Sequence, residues 1–555
     1  MDVEKPKVNF HEYVVYQIYP KSFCDTKGDG VGDLRGIIEK IPYIASLGVD
    51  LVWFNPFFVS PQRDNGYDVA DYYTIQPAMG TMDDFDEMVS KLAEHGIGVM
   101  LDMVLNHTST AHEWFQKALA GDEKYRDFYI IRPANEDGSA PTNWESKFGG
   151  SAWELFGDTG DYYLHLFDVT QADLNWRNPE VRAEMANIVN FWMDRGVFGF
   201  RFDVINLIGK EAELRSSAPG EDPRYMYTDG KDVDRYLQEL AAASFGTDPR
   251  SVTVGEMSST TIERCVGYSN PDNNELDMVF NFHHLKVDYL DGKKWTNVRF
   301  QPRDLKRVLN EWTLGMQEGN GWMAVFLNNH DQPRALDRFG DPENFRVESA
   351  TMLAHMTHLL RGTPYVYMGE EIGMTDPEYT SISDYVDIES TNAYINLLEE
   401  GVDAAEAFAI VRSKSRDNSR TPMQWDDSIH AGFTHGIPWL SATNQDRINV
   451  AAEEASGRIL PYYRKLIQLR KQYAVIADGR YEPYQLDHEQ VYAFFRTLDD
   501  VELLVIVNLS GDHVEFTIPD RFVAGDVLIE NYSTDVSSST LQLNPYHATA
   551  IFSKE

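Results

Sequence analysis

One rhythm constrains this chain more than any other feature: a short apolar run that ends on polar residues, a loop, a helical run, then the next apolar run. The apolar runs fall at residues 14–19, 49–54, 98–105, 199–204, 251–255, 277–282, 322–327 and 363–368. Between the second and third, Thr81 opens a helix, with Asp84 three residues on as an acidic form of the capping box. Phe85, Met88, Val89, Leu92 and Ala93 follow at helical spacing, and Gly96 closes the run. Asn178 and Pro179 open another helix that reaches Asp194, with Val181, Met185, Ile188, Val189 and Trp192 on one side. Strands that alternate with helices lie parallel. Eight of them predict a (β/α)8 barrel, an α/β fold whose chemistry sits at the C-terminal strand ends. The polar residues collect there: His107, Asp203, Glu256, His284, Lys286, His330, Asp331, Glu370 and Glu371.

Two departures from the rhythm define further units. Residues 108–172 are rich in Trp, Tyr, Gly and Asn and read as a small domain inserted after strand three. The barrel then comprises residues 1–107 and 173–475, with an irregular stretch at 376–444. From residue 476 to 555, short runs such as VYAFFRTL and ELLVIVNLS alternate apolar and polar residues between Gly/Asp turns. That pattern predicts a separate antiparallel β-sandwich domain.

In an extended strand, residues two apart share a face, so Arg201 and Asp203 point the same way. A guanidinium beside a carboxylate keeps it ionised, which suits either a structural ion pair or a nucleophile at an anomeric carbon. Asp203, Glu256 and Asp331 stand at three strand ends. Hydrolysing a glycosidic bond with retention needs one nucleophilic carboxylate and one carboxylic acid about 5 Å apart. Val254 and Met257 beside Glu256 predict an apolar setting that raises its pKa. The formal net charge of −39 argues against nucleic acid or an anionic membrane surface as partner. An anionic substrate in such a chain needs a local basic pocket. Two cysteines far apart form no metal or redox motif, and the N-terminus lacks an apolar signal core, so a cytoplasmic protein, monomer or dimer, is expected. The loop DTKGDGVGD places Asp25, Asp29 and Asp33 four residues apart, which suits a structural Ca2+, or the ammonium of Lys27 in its place, or a hydrogen-bonded turn. No cofactor is expected.

The motifs DMVLNH (102–107), GFRFDVIN (199–206), GEM (255–257) and NNHDQ (328–332) resemble those of the α-amylase superfamily of glycoside hydrolases, in order and on the expected strands. The resemblance covers essentially the whole chain. It implies Asp203 as nucleophile, Glu256 as acid/base and Asp331 as transition-state stabiliser. It implies His107, Arg201 and His330 as binders of the sugar at the cleaved subsite. Asp64 and Tyr67 of DNGYD are implied to hold and floor that sugar, with Arg416 paired to Asp64. Phe167, QADLN (171–175) and Val204 look like the oligo-1,6-glucosidase subfamily. Segments 146–154, 227–230, 255–261, 281–289 and 413–425 look closer to the trehalose-6-phosphate hydrolases, whose substrate is a phosphorylated disaccharide. Lys147, His284 and Lys286 are the candidates for its phosphate. Met368, Asn328, the segment PRALDRFG (333–340) and Lys27 depart from the usual family pattern. The alternatives are a neutral oligo-1,6-glucosidase acting on short α-glucosides, a sucrose isomerase or transglucosylase, and a non-enzymatic transporter ectodomain. The last loses the three carboxylates that this chain retains.

Overall fold

The eight apolar runs form one parallel sheet in the order six–five–four–three–two–one–eight–seven. These relations come from a computed structural model that describes residues 7–554. The strands are Val15–Ile18, Leu51–Phe54, Gly98–Met103, Gly199–Phe202, Val252–Glu256, Met278–Phe280, Ala324–Val325 and Thr363–Tyr367. Strand one pairs with strand two on one side and with strand eight on the other, Val15 opposite Tyr365. Between strands six and seven a single parallel bridge, Val279 to Met323, completes the ring. Strand seven, Ala324–Val325, is shorter than its apolar run, and the bridge to strand six falls just before it at Met323.

The local signals act as expected. Thr81 and Asp84 form the reciprocal capping box of the helix Met82–Glu94, and Asn178 caps Pro179–Met193. At the end of strand three, His107–Ser109 pairs antiparallel with Gln171–Asp173. That two-stranded neck ties both ends of the inserted segment to the barrel. Above it, Ile131–Pro133, Asp161–Leu164 and Trp153–Leu155 make a three-stranded sheet. Its core, with Trp144, Trp153, Leu164 and Leu166, also takes in Val204 and Leu207 from the loop after strand four. The insertion is thus fixed over the mouth of the barrel rather than tethered to it.

The C-terminal region forms a five-stranded antiparallel sheet and a two-stranded ribbon, Val514–Thr517 with Thr540–Leu543. Alternate residues of Val491–Leu498 serve two layers. Val491, Ala493 and Phe495 pack under the ribbon, while Tyr492 and Phe494 join the barrel core. Between the barrel and this sheet lies the helix Arg346–Leu359, buried continuously from Ser349 onward. Its last carbonyls, at His358 and Leu359, accept from Arg470 (3.1 Å) and Arg496 (2.7 Å). Those carbonyls have no partner within the helix, so the two guanidiniums satisfy them. No helix among the described residues is long and apolar enough to cross a membrane.

Candidate active site

Strand four ends at Phe202, and the backbone N–H of Asp203 donates to the Met103 carbonyl of strand three at 3.0 Å. The next residue, Val204, has φ +37°, a left-handed value that a β-branched residue rarely adopts. The chain thus turns sharply beside Asp203, the kind of local strain that packed functional sites sustain. Arg201 is 1% exposed and forms the hub. Its NH1 donates to Asp102 Oδ1 and Asp203 Oδ1, each at 2.6 Å, and its NH2 donates to Glu256 Oε2 at the end of strand five. One cation therefore serves three carboxylates. Burial pushes the carboxyl of Asp203 up, against the pull of Arg201. Arg201 pulls the pKa down as expected, but desolvation outweighs the single shared charge. Burial raises Glu256 to about 7, with Arg201 opposing and Asp203 reinforcing the rise.

Asp331 lies in the loop after strand seven and behaves oppositely. Burial works to raise its pKa, but His330, Arg420 and Arg416 hold it well below the usual carboxylate range. Arg420 donates to Asp331 Oδ1 at 2.7 Å. His330 accepts at Nδ1 from Gln17 (3.0 Å), which leaves Nε2 as the donor toward Tyr67 Oη (2.7 Å) and Asp331 Oδ2 (3.1 Å). The Tyr67 ring stacks on His330 with centroids 5.4 Å apart, and its hydroxyl donates to Asp102 at 2.9 Å. Tyr67 so links Asp331's neighbour to the Arg201 hub.

The neck supplies the opposite wall. Gln171 Nε2 reaches Asp64 Oδ2 (3.1 Å) and His107 Nε2 (3.2 Å), and Phe167 lies 5.2 Å from the His107 ring. Burial pushes Asp64 up to about 7 and His107 down to about 4. Arg416 does not pair with Asp64, as the motifs implied. It donates to Asp387 at 2.5 Å, lies 3.5 Å from Asp331 and 3.3 Å from Glu389, and only its field reaches Asp64. Asp387 caps the helix Ile388–Glu399 and so presents a fixed carboxylate to Arg416.

The phosphate candidates separate. His284 is corrected: its Nε2 bonds the Phe326 carbonyl at 2.7 Å, and burial lowers it to about 4. It turns into the apolar layer with Leu309, Trp312 and Val325, away from the mouth. Lys147 and Lys286 carry no ion pair among the described residues. The Lys147 ammonium donates to Ser258 Oγ at 2.6 Å and lies 5.7 Å from the Tyr227 ring and 5.9 Å from the Phe167 ring. Burial lowers its pKa to about 8; Glu256 opposes the shift, while Arg224 and Lys286 add to it. Lys286 is an exposed residue, and its pKa is lowered by partial desolvation and by Arg224. Arg224, paired to Asp222, is a third cation of this group that the sequence did not mark.

The α-amylase catalytic-domain family matches residues 17–479, and the C-terminal domain of the α-amylase SusG matches residues 491–549. The chain belongs to the α-amylase family. It is a glycoside hydrolase similar to trehalose-6-phosphate hydrolases. That of Bacillus subtilis (strain 168) is 50% identical over 542 residues, covering 96% of each chain. The oligo-1,6-glucosidase of Parageobacillus thermoglucosidasius is 46% identical over 555 residues, covering 98% of each. The crystal structure of Bacillus licheniformis trehalose-6-phosphate hydrolase superposes with a TM-score of 0.95 at 48% identity, covering 99% of this chain and 100% of that one.

In this α-amylase-family chain the acidic loop is a hydrogen-bonded turn. Asp25 accepts from the backbone N–H groups of Lys27, Gly28 and Gly30 and from Thr434. Asp33 caps the helix Leu34–Leu47, and Asp29 accepts from Val31. Lys27 does not stand between them: its ammonium donates to the Ala78 carbonyl at 2.7 Å. Among the described residues no group of three or more His, Cys, Asp or Glu side chains is arranged to hold a metal ion. The donor set, with a lysine in the loop and its carboxylates turned to amides, does not fit Ca2+. Asp25→Ala is expected to lower the melting temperature, because the buried amide of Gly30 loses its acceptor at about 1–3 kcal/mol and the part-buried amides of Lys27 and Gly28 lose theirs at a smaller cost. Chelator is expected to leave the wild-type melting curve unmoved. A chelator effect that disappears in Asp25→Ala restores the calcium reading.

Proposed function

We propose that this enzyme hydrolyses trehalose 6-phosphate to glucose and glucose 6-phosphate with retention of configuration. Lys147 and Lys286 carry the reading: two cations without ion-pair partners among the described residues, each within the other's field and Lys147 within that of Glu256, in a chain with a net charge of −39. Lysine ammoniums bind phosphate as point charges. The high identity to trehalose-6-phosphate hydrolases supports the same substrate class.

The geometry supports a double displacement. Asp203 and Glu256 share one guanidinium, which favours the close spacing of a retaining pair, about 5–5.5 Å, over the wider inverting one. Glu256, with its pKa raised to about 7, keeps a proton near neutrality and donates it to the glycosidic oxygen. Asp203 attacks C1 and forms a β-glucosyl ester as glucose 6-phosphate leaves. Water then enters, Glu256 takes its proton, and the ester is displaced to give α-glucose. Asp331, the most strongly ionised of the three, holds hydroxyls of the distorted ring. Asp64, Tyr67, His107, Phe167, Arg201, His330 and Arg416 line the glucose subsite, and the phosphate of the leaving sugar lies toward Lys147, Lys286 and Arg224. Turnover of trehalose 6-phosphate, trehalose, isomaltose and sucrose, measured side by side, tests the assignment. Trehalose 6-phosphate is expected to have the highest kcat/KM. A preference for isomaltose makes the enzyme a neutral oligo-1,6-glucosidase, and an isomerised product from sucrose makes it a transglucosylase.

A further inference from the structure

Lys210 follows the turn Ile205–Leu207 after strand four and is 3% exposed. A lysine buried this deeply is rare unless its charge is paired. Its ammonium meets three oxygens from three parts of the chain: the Leu207 carbonyl (2.7 Å), Asn106 Oδ1 (2.7 Å) and Asp173 Oδ1 (2.8 Å). Three N–H bonds find three acceptors, so no donor is wasted. Asp173 is fully buried, and its second oxygen takes the N–H of Leu166 at 2.8 Å. Asn106 Nδ2 donates to Asp173 Oδ1 at 3.0 Å and meets His107 Nδ1 at 3.2 Å. Asp173 also ends the neck strand Gln171–Asp173, whose first residue reaches His107 and Asp64.

We propose that Lys210 is a positioning residue for the glucose subsite. Its ammonium pins the loop after strand four, the end of strand three and the neck of the inserted domain to one point. Through Asn106 it sets the ring of His107 from one side. Through Asp173 it sets the neck strand, and hence Gln171, from the other. Lys210 touches no substrate itself. This role rests on the glycoside-hydrolase reading of the pocket and is independent of whether the leaving sugar carries phosphate.

The test uses the full-length enzyme with p-nitrophenyl α-glucoside and trehalose 6-phosphate. Lys210→Met is expected to lower kcat about 100-fold on both substrates with little change in KM, the scale of a 1 Å misplacement. Because that variant strands a buried carboxylate and can unfold, Lys210→Met/Asp173→Asn is measured beside it. The double variant balances charge and is expected to recover most of the melting temperature while kcat stays at least about 10-fold down, since Asn106 and the neck remain unheld. Wild-type kcat in the double variant overturns the proposal, because the pair then serves stability alone. So does a loss confined to trehalose 6-phosphate, which would place Lys210 with the phosphate cations, or a KM rise without a fall in kcat.

Discussion

Asp203→Asn is expected to leave a folded protein whose kcat falls about 10⁴-fold or more, the scale seen when a nucleophile is removed from a covalent mechanism. The amide preserves shape and still offers Arg201 an acceptor oxygen, so the hub survives while the attack on C1 is lost. In the wild type, glucose freed from the substrate is expected to appear first as the α-anomer by NMR. Initial β-anomer means direct displacement by water and removes Asp203 from the nucleophile's role. The same chemistry sets a pH limb. Glu256 must carry its proton for the first step, and its carboxyl titrates near 7, so kcat/KM is expected to fall as pH rises through that value. A profile flat to pH 9 excludes Glu256 as the acid.

The second large effect concerns charge at the far end of the pocket. Unit charges ~8 Å apart interact by about 2 kcal/mol at an effective dielectric of 20, or roughly 30-fold in binding. Lys286→Ala and Lys147→Met are each expected to raise KM for trehalose 6-phosphate by about that factor, and to leave an aryl α-glucoside, which fills only the glucose subsite, nearly unchanged. Arg224→Ala is expected to do less, because Asp222 already offsets its charge. Salt weakens the phosphorylated substrate alone. Lys147 adds a signature of its own. Its pKa is lowered to about 8, so its charge is lost as pH rises through that value, and KM for the phosphorylated substrate climbs there in wild type but not in Lys147→Met. Parallel loss of both substrates in the two lysine variants makes the lysines structural and removes the case for phosphate.

What could be read from the chain alone was whatever is decided locally. Caps such as Thr81 and Asn178, the period of the helices and the apolar strand runs depend on neighbours a few residues away, and they fold as read. Arg201 and Asp203 were legible as a pair because the pleat fixes residues two apart. Long-range partners were not. Arg416 prefers Asp387 to Asp64, and His284 turns inward rather than out, because each answers to an element distant in sequence. Arg420, Asp387, Lys210 and Arg224 carry no local signal at all. The helix Arg346–Leu359 has no amphipathic stripe to find, since the barrel covers one side and the C-terminal sheet the other. The acidic loop misled in the opposite way. Regular spacing suggested a cation, but short Asp side chains bond the amides just after them just as readily.

The pairing of strand one with strand eight has a consequence during synthesis. Val15 finds its partner Tyr365 only after 350 further residues have been made. At 5–20 residues per second that is a wait of about 20–70 s. For that interval strand one holds an open, apolar edge, the kind of surface that pairs with other chains. The barrel cannot close until nearly two-thirds of the polypeptide has left the ribosome, and the buried helix Arg346–Leu359 waits longer still for the sheet that covers it. Yield in the cell should therefore respond to chaperone supply and translation rate more sharply than the stability of the finished enzyme would suggest.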